Sequence, residues 1–112
     1  MAKTYHIHDE MFHAHVVFYV GKSPEDKALA ACVYDRECTG VNAGIKEYVI
    51  ELKDPSNFYG IVHEVVHLVQ HIFTDRDILF NEANHEVMAY YQEWWVRKLW
   101  HLASRNLDKP NG

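Results

Sequence analysis

Phe58-Tyr59-Gly60-Ile61-Val62-His63-Glu64-Val65-Val66-His67-Leu68-Val69-Gln70-His71-Ile72-Phe73 is the stretch that decides the fold. Asp54-Pro55-Ser56-Asn57 comes before it and supplies the break and the capping residues that open a helix. With His63 set at 0° and about 100° per residue, His67 falls at about 40°, His71 at about 80° and Glu64 at about 100°. Phe58, Ile61, Val62, Val65, Val66, Leu68, Val69, Ile72 and Phe73 fill the arc from about 140° to 300°. One face of the helix builds a core, and the other presents imidazoles and a carboxylate. Gly60, at about 60°, leaves that second arc uncovered one turn before His63.

Outward from this helix the pattern alternates between strand and helix. Upstream, residues 45–52 place Tyr48, Ile50 and Leu52 on one face and Glu47, Val49 and Glu51 on the other, as a half-buried strand does. Residues 13–20 behave the same way, with Ala14, Val16, Phe18 and Val20 opposite His13, His15, Val17 and Tyr19, until Gly21 ends the run. Ser23-Pro24-Glu25-Asp26 carries helix-start signals, a capping hydroxyl, a proline and two acids, and predicts a helix to about Glu37. Downstream, Asp75-Arg76-Asp77 reads as a turn, and Asn81 as the cap of a long helix reaching about Ser104. Residues 105–112 read as a frayed tail after one domain spanning 1–104. This order predicts an α+β fold, a small sheet packed against helices.

With 112 residues the chain has room for one core. Its net charge of −5 offers no basic footprint, which argues against a nucleic-acid partner. No apolar run is long enough to cross a bilayer, and the polar start Met1-Ala2-Lys3-Thr4-Tyr5-His6 has no secretory signal, so a cytoplasmic location is expected. Cys32 and Cys38 have no second pair with which to form a zinc knuckle and read as reduced thiols. The unusual feature is nine histidines, in an N-terminal group (His6, His8, His13, His15), a central group (His63, His67, His71), and singly at His85 and His101. The strand pairs His6/His8 and His13/His15 each share a face, and read as exposed strand histidines able to bind metal.

His63 and His67, at i and i+4, stand one above the other about 6 Å apart along the axis, close enough to share one tetrahedral zinc ion. Glu64 projects to the side, where it can take a proton from an activated water without itself binding the metal. Against this stands the plainer reading of a solvated His/Glu face. Zinc needs a third protein ligand, and the last helix offers Glu86, with eighteen residues between it and His67. Ala89, three residues on, is small enough for the two helices to approach. Val87, Met88, Tyr91, Trp95 and Leu99 read as that helix's core face, and Glu93 and Arg97 as an ion pair on the Glu86 stripe. His71 lies a further turn along, Glu82 sits near the reversal, and His85 points about 100° away from Glu86, so each is a poorer ligand.

His63-Glu64-Val65-Val66-His67, eighteen residues, then Glu86-Val87-Met88-Ala89 resembles the pattern of the zincin metallopeptidases of the gluzincin kind. The small size is similar to that of miniature gluzincins and of short metallopeptidases from phage and mobile elements. Val41-Asn42-Ala43-Gly44 faintly resembles the substrate-binding edge strand of thermolysin-like enzymes. The resemblance implies a Zn2+ cofactor held by His63, His67 and Glu86, with Glu64 as general base and a peptide or protein as substrate. Larger gluzincins use a second lobe to stabilise the oxyanion, for which this chain has no room; Tyr90 is the candidate helper, with His71 and His85 behind it. The competing function is a zinc-binding interaction module without catalysis.

Overall fold

The structure, a computed structural model, describes residues 3–21, 31–37 and 46–107, with 31–37 and residue 46 described by backbone alone. The elements run β1 (Lys3–His8), β2 (His15–Val20), β3 (Ala31–Glu37), β4 (Lys46–Leu52), α1 (Phe58–Asp75) and α2 (His85–Ser104). The fold is α+β, as the pattern predicts. The four strands lie in the order β1-β2-β4-β3. β1 and β2 form an antiparallel hairpin, β2 and β4 run parallel, and β3 pairs antiparallel with β4 at the sheet's end.

The inward face is the expected one. Val16, Phe18 and Val20 of β2 and Tyr48, Ile50 and Leu52 of β4 join Ala14 and Ile7 in the core, under α1 and α2. The second face departs from expectation, because Val17, Val49 and Glu51 are buried too. β2 and β4 are the inner strands of the sheet, each flanked on both sides by a neighbouring strand. Inner strands bury more of both faces than edge strands do.

The helix expected up to Glu37 does not reach it: residues 31–37 form β3, and the Ser23–Asp26 start lies outside the described residues. A capping sequence marks where a helix can begin, not how far it runs. Cys32-Val33-Tyr34 favours a strand, and the ladder to β4, with Val33 opposite Ile50 and Tyr34 opposite Val49, decides the conformation. Cys32 therefore sits in a strand, while Cys38 and the Val41–Gly44 stretch lie outside the described residues.

Three polar links fix the elements to one another. The Asp9 carboxylate, buried at the tip of the hairpin, accepts from the backbone N–H groups of Met11, Phe12 and Ala14 at 2.9, 2.8 and 2.9 Å, and from the Tyr91 hydroxyl at 2.8 Å. Arg76, just past α1, donates through Nε to the Phe12 carbonyl at 2.7 Å and through Nη1 to the Tyr48 hydroxyl at 3.3 Å. Asn106, just past α2, donates to the Tyr5 hydroxyl of β1 at 3.3 Å. α2 begins at His85, with Asn84 as its N-cap residue in place of Asn81. Asn81 instead accepts from the Asn84 N–H through its side chain at 3.2 Å.

Among the described residues no helix is long and apolar enough to cross a membrane.

Candidate metal centre

α1 starts where the sequence breaks. Asn57 accepts from the Gly60 N–H through its side chain at 3.0 Å, satisfying one of the free amides of the first turn. A Cβ on Gly60 would lie 2.8 Å from Asn57 Cγ. The glycine therefore makes room for the cap, besides leaving the outer arc uncovered.

The two faces of α1 follow the wheel. Ile61, Val65, Leu68, Val69, Ile72 and Phe73 are buried, and Val62 and Val66 half-buried. Phe58 is the exception: it stays partly exposed, its ring against Trp100 with centroids 5.3 Å apart. His63, His67 and His71 are exposed, as are Gln70 and Thr74. The His63 and His67 rings stand edge to face with centroids 4.9 Å apart. Glu64 is only 8 % exposed, and its Oε2 lies 4.0 Å from His63 Nε2. Two accessible imidazoles and a sheltered carboxylate therefore share one stretch of helix. His67 also borders a shallow cleft of about 390 Å³ lined by Gln70, His71 and Thr74. His71 thus belongs to the surroundings of the pair, a place its i+4 spacing from His67 signals.

α2 does not complete the set. Glu86 and Tyr90 are both exposed, Tyr90 by 65 %. Among the described residues no three His, Cys, Asp or Glu side chains come together so as to hold a metal ion, so Glu86 does not join His63 and His67 in this structure. The helix register gives a physical reason. Phe58 meets Trp100, and the Phe73 and Tyr91 rings stack with centroids 6.0 Å apart. The histidine pair therefore lies level with the middle of α2, while Glu86 lies about 7 Å beyond Tyr91 towards the helix start. Val87, expected in the core, is 45 % exposed, whereas Tyr91, Trp95 and Leu99 are buried as expected. Glu82 and His85 are exposed on the approach to α2, and Glu93 pairs with Arg97 at 2.7 Å.

The tyrosines that are buried have other work. Burial, with the Asp9 carboxylate accepting its proton, pushes the Tyr91 hydroxyl far up from its ordinary range, offset in part by Trp95 and Arg76. Burial and the bond to Asp75 likewise raise Tyr48. Both remain neutral donors bound to carboxylates, so neither is free to serve the His63–His67 face.

Compared with protein-family models, with curated protein sequences and with solved structures, the chain matches none of them. Any functional reading therefore stands on the chain's own residues. The donors on α1 fit a zinc ion in type: two exposed imidazoles on one helix face, with ring centroids 4.9 Å apart. The third ligand is not gathered.

Proposed function

We propose that the chain is a zinc-dependent peptidase whose working surface is the outward face of α1. The observation that carries this reading is the placement of Glu64: a carboxylate only 8 % exposed, next to two solvent-facing imidazoles whose rings lie 4.9 Å apart. Charged side chains are rarely buried without a partner or a use, and the exposed imidazoles beside Glu64 supply one.

His63 and His67 would hold the ion, with Glu86 as the further ligand that the gluzincin resemblance implies. Zinc bound there supplies Lewis acidity, lowering the pKa of water to about 7 and polarising a carbonyl. Glu64 accepts the proton of the attacking water at a carboxylate oxygen and passes it to the departing amine. Its shelter from solvent keeps it from being hydrated as an ordinary surface acid. Among the described residues β3 lies at the end of the sheet, next to α1.

The test is Glu64→Gln. This change keeps the shape and removes the base, so zinc content and thermal unfolding should stay as in the wild type while cleavage of an unstructured protein such as casein falls by about 10²–10⁴. Equal activity in both proteins at equal zinc content contradicts the role of Glu64. Wild-type protein that is inert on broad peptide libraries with zinc bound favours the interaction module.

A further inference from the structure

The β1–β2 hairpin carries a second group of imidazoles, remote in sequence from α1. His6 and His8 flank Ile7, which is buried in the core, so both project from the sheet face opposite the helices. His8 is paired in register with His15 across the hairpin. Ring centroids are 6.4 Å apart for His8 and His15, 6.4 Å for His6 and His15, and 5.6 Å for His8 and His13. The four rings thus form a continuous row, His6–His15–His8–His13.

His13 reaches that row through a left-handed backbone, with φ of 55°. Few non-glycine residues adopt this conformation, and it persists only where the surroundings hold it. Here Arg76 Nη2 donates to the His13 carbonyl at 3.3 Å, and Asp9 accepts from the next N–H, that of Ala14, at 2.9 Å. A turn that would suit glycine or asparagine instead carries a ring beside His8.

We propose that the hairpin binds one divalent late-transition-metal ion, such as Zn2+, with His8 and His15, in the middle of the row, as ligands and either His6 or His13, from its two ends, as a third. The donors are all imidazole nitrogens, since the Asp9 carboxylate is occupied by Met11, Phe12, Ala14 and Tyr91. Such a set suits zinc, copper or nickel and not calcium or magnesium. A metal–nitrogen distance of about 2.0–2.1 Å and tetrahedral angles place two ligand rings about 5 Å apart between centroids. The His8–His13 separation of 5.6 Å is already close to that, and the 6.4 Å pairs close by about 1 Å through side-chain rotation. In the present rotamers the nitrogens do not yet converge.

The test uses the full chain with His63→Ala and His67→Ala, so that it stands or falls separately from the α1 site. Zn2+ is titrated by calorimetry, and the imidazole nitrogens are followed by NMR. The expected result is about one equivalent bound, with the His8 and His15 resonances shifting together. Adding His8→Gln and His15→Gln should weaken binding at least tenfold, while His6→Ala or His13→Ala alone should weaken it less. No Zn2+ uptake by the parent variant overturns the proposal, as do His8 and His15 resonances that stay in place when zinc is added. Unchanged affinity after the double glutamine change overturns it equally.

Discussion

α1 and α2 are similar in length and pack against each other, yet they present opposite kinds of surface. α1 buries a continuous stripe of aliphatic side chains and turns polar chemistry outward. α2 buries Tyr91, Trp95, Leu99 and Leu102 with the small Ala103, and leaves Val87, Tyr90 and Trp94 exposed. A helix wheel reports on a helix with respect to its own core, and for α1 that is enough to place His63 and His67 outward, though Glu64, on the same arc, is buried. A ligand supplied by a second helix depends also on register and crossing, which the wheel does not contain. α1 thus carries the candidate site, and α2 is an anchor.

The largest effect expected from this contrast is on stability. Trp95 is fully buried, and Trp95→Ala should destabilise the fold by about 3–5 kcal/mol. His63→Ala with His67→Ala, on the exposed face of α1, should change it by less than about 0.5 kcal/mol per site. Urea unfolding of both variants checks this. A histidine variant as unstable as the tryptophan variant erases the distinction between the helices.

Next comes the link from α2 to the hairpin. Asp9→Ala strands three backbone N–H groups and the Tyr91 hydroxyl, and should lower stability by about 2–4 kcal/mol in the same unfolding measurement. The bond also sets a pH response. Because folding raises the Tyr91 pKa, its contribution is fully present below the unfolded value of about 10 and is lost as pH rises above it. Tyr91→Phe should flatten the stability profile above about pH 10, and an unchanged slope there assigns the loss to other groups.

How much of this was legible beforehand depends on where the deciding interaction lies. The capped start, the buried stripe and the outward His63 and His67 of α1 are local, and the sequence contains them; the burial of Glu64 beside them is not local. The Ser23–Asp26 capping signal predicts a helix over 31–37 because it does not report the long-range ladder to β4 that makes this stretch β3. Asp9 carries no local signal because its worth comes from Tyr91, far along the chain. Glu86 has the gluzincin spacing, but spacing along a chain does not say which turn of α2 faces His67.

A smaller effect sharpens that last point. Asn84 makes no capping bond through its side chain to α2, and Glu86 and Val87 are exposed, so the first turn is the least anchored part of the helix. The expected outcome is that this turn moves in when zinc is present. Glu86→Ala should then weaken zinc affinity about tenfold or more, about 1.4 kcal/mol, while His71→Ala leaves it nearly unchanged. Equal affinities for Glu86→Ala and wild type keep Glu86 where the structure has it. The smallest effect belongs to Gly60→Ala: displacing the Asn57 cap costs about 1 kcal/mol, and replacing a helical glycine returns about as much. Its unfolding midpoint should stay near that of the wild type, and a large drop makes Gly60 indispensable to the α1 start.

The central claim, that the outward face of α1 holds zinc, is tested most directly by anomalous diffraction at the zinc edge from zinc-loaded crystals of the full chain. The account predicts a strong peak within bonding distance, about 2.0–2.1 Å, of nitrogens from both His63 and His67. A map with zinc elsewhere on the molecule and no peak between those two residues contradicts it.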